Sequence, residues 1–141
     1  MEILPKTIKY RKGYKYQLAE TYSVYVKIKP EKNVLAEYVQ LFTDGLLIIQ
    51  KGYAWDGASG PTWDDKSNMR ASLVHDALYQ LMRLGLLPQD CKEPTDREMQ
   101  KICKEDGMWR IRAWYYYQGV KYGGGKSCQP GYEPYPVLTA P

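Results

Sequence analysis

The residue with the widest chemical range in this sequence is its only histidine, His75. Because imidazole titrates near neutral pH, a histidine can act as a general acid or base in catalysis. Ser72 and Tyr79 lie three and four residues from His75, so a helix places both beside it. Asp76 follows His75 directly, and the same spacing places it beside Tyr79 and Arg83. A single imidazole excludes zinc sites that need several histidines of this chain, but it leaves acid–base chemistry open.

A second acidic residue, Asp96, is expected to face this histidine from the following helix. It is in register with Met99 and Cys103 at i+3 and i+7, so it lies on the stripe predicted to pack inward. In one interpretation, Asp96 accepts a hydrogen bond from one ring nitrogen of His75 and leaves the other nitrogen as a base. In the alternative, Asp96 only stabilises the helix N-terminus, with Thr95 as the cap.

The loop before the histidine helix supplies further polar groups. Residues 53–66, YAWDGASGPTWDDK, are rich in Gly, Pro, Asp and Ser, which predicts a structured loop. Asp56 offers a carboxylate, Gly57 allows close approach of the backbone to a ligand, and Ser59 offers a hydroxyl. Asp56, Asp76 and backbone carbonyls form a candidate site for a hard divalent cation such as calcium or magnesium. The alternative is a turn in which Asp56 and Ser59 satisfy only the local backbone.

Three helices are predicted in the second half of the chain. Apolar residues recur at about 100° per residue over 67–84, which predicts the first helix. The second is predicted to begin at a capping box, residues 95–98, and to end at Asp106 before a glycine. The third covers 109–122 and stops at three glycines. The apolar stripe of the first helix, opposite His75 and its polar neighbours, comprises Leu73, Val74, Ala77, Leu78, Leu81 and Leu84.

Strands are predicted in the first half, where apolar and polar residues alternate. In residues 24–29, Val24, Val26 and Ile28 share one face and the two lysines share the other, which is typical of a half-buried antiparallel strand. Two further runs flank Asp44-Gly45, a dipeptide suited to the positive φ angles of a tight hairpin. These patterns predict an antiparallel meander over about residues 6–53.

The whole pattern predicts an α+β fold, in which the N-terminal meander packs beside the three helices. At 141 residues, the chain has the length of one domain. We expect that domain to cover residues 1–125 and an extended, proline-rich tail to cover 126–141.

The charge distribution and the cysteines indicate which partners and which compartment suit the protein. The net charge is +4, and residues 1–32 hold eight basic against three acidic residues, so the basic excess is N-terminal. Such a run usually lies on a solvated strand face, although it could also meet an acidic partner or nucleic acid. Three cysteines without a CxxC pair favour a reducing compartment. No stretch has the pattern of a transmembrane span or an export signal.

The loop and helix motifs resemble a family of small bacteriophage and prophage proteins known as domain of unknown function thirteen fifty-three. The resemblance covers about residues 45–123. It implies a phage-encoded protein, located in the host cytoplasm or incorporated in the virion, and it favours a site at the shared polar residues. Gly60 departs from the family pattern, which more often has a larger apolar residue there. The matching residues are Trp55, Asp56, Gly57, Ala58, Ser59 and Pro61 in the loop, Val74, His75, Asp76 and Tyr79 in the helix, and later Asp96.

The HDxxY spacing is also similar to a helix of secreted phospholipases of the A-two type. In those enzymes, the histidine activates water, the adjacent aspartate binds calcium, and an aspartate on a second helix orients the histidine. His75, Asp76, Tyr79 and Asp96 follow that order. Those enzymes also carry a glycine- and cysteine-rich calcium loop and many disulfides, which this sequence lacks, so the likeness is an analogy between short motifs.

Three functions remain open from the sequence. The first is a hydrolase-like site in which His75 is the base, Asp96 orients it, and Asp76 with Asp56 binds a cation or polarises an ester, phosphodiester or cell-envelope substrate. The second is a non-enzymatic virion or tail-assembly protein that contacts other virion proteins or itself through aromatic residues of the third helix and the tail 129–141. The third is a nucleic-acid binder, which is not favoured because four successive aromatic residues cannot share one helix face.

Overall fold

The computed structural model describes residues 7–10, 13–57, 64–133 and 137–140, and it confirms the α+β fold. Antiparallel strands come first in the chain and three helices follow.

The strands in the described part of the chain form three antiparallel sheets. The largest contains Tyr22–Tyr25 (β3), Val34–Leu35 (β4), Val39–Leu41 (β5) and Leu46–Ile49 (β6), in the order β3-β6-β5-β4. Two smaller sheets pair Ile8–Tyr10 (β1) with Leu138–Ala140 (β8), and Tyr16–Gln17 (β2) with Ala54–Trp55 (β7).

The order of the largest sheet differs from a simple meander. The strand β3 pairs with β6 instead of β4, with Val24 opposite Leu47. The all-apolar β6 is thereby flanked on both sides, and Leu47 and Ile49 are fully buried. The alternation predicted for residues 24–29 is confirmed at Val26 and Ile28, which are buried between exposed lysines. The predicted extent of the strand is wrong, because β3 ends at Tyr25. The strand order depends on backbone pairing between strands that are distant in the sequence, and a local residue pattern does not predict such pairing.

The predicted hairpin joins β5 to β6, but its loop is longer than two residues. The backbone N–H of Phe42 donates to the carbonyl of Leu46 at 2.9 Å, so these two residues close a loop of three residues, 43–45. Gly45 has φ of +90°, while Asp44 stays at negative φ. A Cβ at position 45 would lie 2.4 Å from the carbonyl oxygen of Val26, which explains the glycine.

The three predicted helices are Met69–Arg83 (α1), Lys92–Glu105 (α2) and Arg110–Gly123 (α3), with α2 packed against both others. The apolar stripe of α1 is buried except at Leu84, which lies just after the helix end. Its polar neighbours Ser72, His75 and Tyr79 are buried as well. None of the described helices has the length and apolar character needed to cross a membrane.

The predicted start of α2 at the capping box is wrong. The helix begins at Lys92, after a short 3₁₀ turn at Gln89–Cys91. Pro94 is its third residue, where the missing N–H has no helical partner to lose. Thr95 is buried inside the first turns and caps nothing, since its hydroxyl has no hydrogen-bond partner among the described residues. Glu98 instead accepts a hydrogen bond from the backbone N–H of Lys27 at 2.8 Å, which joins α2 to the strands.

The start of the tail is not extended. Lys126–Cys128 forms a 3₁₀ turn, and Cys128 is fully buried against the helices. Its carbonyl accepts a hydrogen bond from the Gln89 side chain at 2.7 Å, and Gly131 donates its N–H to the carbonyl of Arg83 at 2.9 Å. Here the stabilisation from burying Cys128 outweighs the tendency of the proline-rich segment to be extended. Further along, β8 pairs with β1, and residues 134–136 and 141 lie outside the described residues.

Candidate functional site

His75 and Asp96 face each other between α1 and α2. Their side chains are buried, with 6% of His75 and 1% of Asp96 exposed. Nε2 of His75 lies 2.9 Å from Oδ1 of Asp96. The predicted contact is therefore confirmed, while its catalytic role stays a prediction. In the tautomer with its proton on Nε2, the imidazole donates to Asp96 and keeps a free lone pair on Nδ1.

Asp96 accepts two further hydrogen bonds. The hydroxyl of Tyr79 donates to Oδ1 at 2.6 Å, and Nζ of Lys92 donates to Oδ2 at 2.8 Å. Burial alone would raise the pKa of Asp96, but the bonds from His75, Lys92 and Tyr79 outweigh it and lower the pKa below its usual value. Asp96 is therefore a buried carboxylate that stays ionised.

Lys92 is the member of this cluster that the sequence reasoning missed. Its ammonium also donates to the backbone carbonyls of Val120 and Lys121, at 3.0 and 3.1 Å. These carbonyls belong to the last turns of α3, where the helix dipole favours a cation. The signal was present in the i,i+4 spacing to Asp96. It was missed because a helix predicted to begin at Thr95 leaves Lys92 outside.

The second ring nitrogen of His75 points toward Asp76. Nδ1 lies 3.6 Å from Oδ1 of Asp76, which is too far for a direct hydrogen bond. Burial lowers the pKa of His75, but the negative charges of Asp76 and Asp96, together with the hydrogen bond to Asp96, outweigh burial and raise the pKa above its usual value. The Tyr79 ring packs on the imidazole with 3.9 Å between centroids and helps to fix its orientation.

A cleft of about 1050 Å³ gives this cluster access to solvent. Its volume lies at the upper end of the range of ligand pockets. His75, Asp76 and Tyr79 line it on α1, and Asp56 and Gly57 line it from the loop after β7. Five of the predicted site residues, Asp56, Gly57, His75, Asp76 and Tyr79, are thus brought to one cleft. Asp96 lies behind His75 and does not line the cleft, Trp55 does not line it, and Ser59 lies outside the described residues.

Asp56 and Asp76 lie near enough to repel each other. Oδ1 of Asp56 accepts the backbone N–H of Lys15 at 3.0 Å. Burial raises the pKa of Asp56, the Lys15 amide partly offsets this, and the negative charge of Asp76 raises the pKa further. A site that gathers negative charge in this way favours a cation or a cationic group.

Asp56 and Asp76 supply only part of the oxygen ligands that a divalent cation needs. In the part of the chain that the structure describes, no three His, Cys, Asp or Glu side chains surround one point. Asp56 and Asp76 supply two carboxylates, whereas calcium takes about six to eight oxygens. Backbone carbonyls and water would have to complete the coordination. Gly57, where φ is +82°, brings backbone to the cleft wall.

Trp55 is a core residue and does not line the cleft. Its indole N–H donates to Oγ of Ser72 at 3.1 Å, and its ring stacks near Tyr53. The side chain is buried under β2, beside Tyr16. Trp55 therefore anchors the loop to α1, and the binding role predicted for it from the sequence has no support in its position.

Compared with protein-family models, with curated protein sequences and with solved structures, this chain shows no significant match. The likeness of its motifs to the phage family thus stays a prediction.

Proposed function

We propose that this protein is a phage-encoded hydrolase in which His75 is the general base and Asp96 orients it. The observation that carries the proposal is the 2.9 Å contact between Nε2 of His75 and Oδ1 of Asp96, at the edge of an open cleft. This contact fixes one tautomer, so that Nδ1 can accept a proton from water.

The reaction follows from these positions. A water molecule near Nδ1 attacks the carbonyl or phosphoryl centre of the substrate while Nδ1 takes its proton. Asp96 stabilises the resulting imidazolium, because its carboxylate is already ionised and bonded to Nε2. The imidazolium then returns the proton to the leaving oxygen, which restores the neutral base. A divalent cation held by Asp76 and Asp56 would polarise the substrate oxygen.

A substrate screen tests this proposal. Purified protein is assayed on a carboxylic ester, a phosphodiester and isolated cell-envelope material, each with calcium, with magnesium and with chelator. Hydrolysis of any class that depends on His75 supports the proposal. If folded protein turns over none of them under any condition, the proposal is wrong.

A cation is expected to stabilise the protein through Asp76. Calcium or magnesium at a hundredfold excess over Kd should add about 2.7 kcal/mol to the free energy of unfolding. For a chain of this length, about 2 to 4 °C in Tm accompanies each kcal/mol. Asp76→Asn should abolish the shift, because one of the two carboxylates is lost. Asp90→Asn, on the exposed turn before α2, is the control and should keep it. Thermal melts in which neither cation moves the wild-type Tm would contradict the cation site.

A second candidate function is that of a non-enzymatic virion or tail-assembly protein. The observation that favours it is the outer face of α3. On this face Tyr122 is 78% exposed, and Ile111, Trp114 and Tyr115 also have large exposed areas. Trp109, which directly precedes the helix, is 81% exposed. Aromatic residues at such density are more typical of a contact surface than of a solvated helix.

Loss of this aromatic face is expected to weaken self-association. The double change Ile111→Ser with Trp114→Ser removes two apolar side chains from the centre of the face, and we expect the dimer Kd to rise at least about tenfold. Tyr25→Ser with Leu35→Ser is the matched control, since these two residues are comparably exposed on the strands. Sedimentation equilibrium measures both. Wild-type protein that stays monomeric at all accessible concentrations would count against the assembly function.

A further inference from the structure

From residue 71 onward, the helix α1 reaches solvent through one short polar stripe. Between residues 71 and 83, every side chain is buried except Asp76, Gln80 and Arg83. Their spacings of four and three residues place them on a single line along the helix. All three line the cleft that contains His75. The cleft wall therefore has a carboxylate at one end, an amide in the middle and a guanidinium at the other end.

Arg83 is held in place but keeps most of its donors. One N–H of its guanidinium donates to the backbone carbonyl of Ser127 at 3.0 Å. Among the residues that the structure describes, no carboxylate forms an ion pair with Arg83. The other arginine of the cleft, Arg112, is neutralised by Asp65 at 2.8 Å. Since a guanidinium has five N–H donors in a planar fork, Arg83 can still bind a carboxylate or phosphate.

We propose that Gln80 and Arg83 form a second subsite, which binds an anionic group of the substrate, a carboxylate or a phosphate. The bond of the substrate that breaks lies at His75. This placement of the bond rests on the proposed hydrolase function. Asp76 and Arg83 are seven positions apart on the helix, which is about 10 Å along the axis. The substrate is therefore an extended molecule with its anionic group about two helical turns from the bond that breaks. A phosphodiester at the reacting end would need the cation held by Asp56 and Asp76, because these carboxylates alone would repel its negative charge.

Arg83 also has a structural role, which the experiment must separate from binding. Its guanidinium and its backbone carbonyl both hold the segment after α3, through Ser127 and Gly131. A substitution of Arg83 alone could lose phosphate binding by loosening that segment. Gln80 offers an independent variant. Gln80→Glu leaves the bond between Arg83 and Ser127 in place and puts a carboxylate one turn from the guanidinium, where it competes with an anion.

Titration with inorganic phosphate and, separately, with acetate tests the subsite by heteronuclear NMR. The backbone amides of Gln80, Arg83 and Ser127 should shift at millimolar anion. Arg83→Gln and Gln80→Glu should each raise the Kd at least about tenfold, the value of one charge-assisted hydrogen bond. Arg97→Gln, which removes an exposed arginine paired with Glu93 on α2, should leave it unchanged. The tighter of the two anions identifies the group on the substrate.

Two results would overturn the subsite. One is the absence of shifts at those amides up to tens of millimolar of either anion. The other is wild-type affinity in Gln80→Glu. Binding in His75→Gln separates this inference from the proposed reaction. If that variant binds phosphate as tightly as the wild type, the subsite proposal holds even if the hydrolase screen fails. If the protein is a hydrolase but binds neither anion, only the subsite proposal is wrong.

Discussion

Replacement of His75 by glutamine is expected to lower the rate of hydrolysis by about 10²- to 10⁴-fold, the usual contribution of a general base. A glutamine amide can still donate to Oδ1 of Asp96, so the hydrogen bond that packs the two helices is kept. It offers no basic nitrogen to take a proton from water. The rate is measured as kcat on the substrate that the screen identifies, and thermal melts confirm folding.

A matched control separates chemistry from packing. Met82 is fully buried on α1 and does not line the cleft, and Met82→Leu conserves its volume. We expect this variant to keep the wild-type rate, so a loss specific to position 75 reports the imidazole. Hydrolysis at the wild-type rate in His75→Gln would remove the histidine from the mechanism.

The same histidine links activity and stability to pH in opposite directions. The pKa of His75 in the folded protein is raised above its ordinary value of 6.5. The contacts of the imidazolium with Asp76 and Asp96 therefore add stability that is fully present below pH 6.5. That stability is lost as pH rises through the folded pKa. Over this interval the base becomes neutral and active, so the rate should rise while the free energy of unfolding falls.

Local spacing was sufficient to find the central pair of the site. His75 and Asp96 were both assigned to helix faces from their neighbours three, four and seven residues away, and helix geometry carries such assignments over a few turns. The error at the start of α2 did not disturb the face of Asp96, because the helical period continues through Pro94. The same error hid Lys92, since a residue outside the predicted helix has no predicted face.

Features that depend on distant contacts could not be obtained in this way. Trp55 belongs to a loop motif that points to ligand binding, yet its indole is buried beside Tyr16 of β2 and donates a hydrogen bond to Ser72 on α1. The turn around Cys128 follows a run of glycines and precedes prolines, yet it packs on the helices. In both cases burial of a side chain against residues far away in sequence outweighs local composition.

Removal of the Asp96 carboxylate by Asp96→Ala is expected to lower the free energy of unfolding by about 3 to 5 kcal/mol, as for other buried ion pairs that lose one partner. The change removes the carboxylate that accepts from the Lys92 ammonium and from the Tyr79 hydroxyl, and it leaves the positive charge of Lys92 without its counterion. Urea unfolding measures the loss. Asp90→Asn, at an exposed position, should stay within about 0.5 kcal/mol of the wild type.

The pH dependence of this variant follows from the lowered pKa of Asp96. A carboxylate whose folded pKa lies below 3.8 adds stability that is present above pH 3.8 and is lost as pH falls through the folded pKa. Asp96→Ala should therefore flatten the acid side of the stability profile, whereas His75→Gln should flatten the side above pH 6.5. A loss below about 1 kcal/mol in Asp96→Ala would mean that the buried network is no stronger than a surface ion pair.

Comparison of the two variants decides between an active site and a structural polar core. His75→Gln keeps the bonds of Lys92 and Tyr79 to Asp96, so its stability at pH 7 should stay within about 1.5 kcal/mol of the wild type. Asp96→Ala loses all three bonds. If the pair is catalytic, both variants lose hydrolysis, while only Asp96→Ala loses about 3 to 5 kcal/mol of its free energy of unfolding. If the pair is only structural, Asp96→Ala again loses more stability than His75→Gln, but neither substitution changes a rate of hydrolysis.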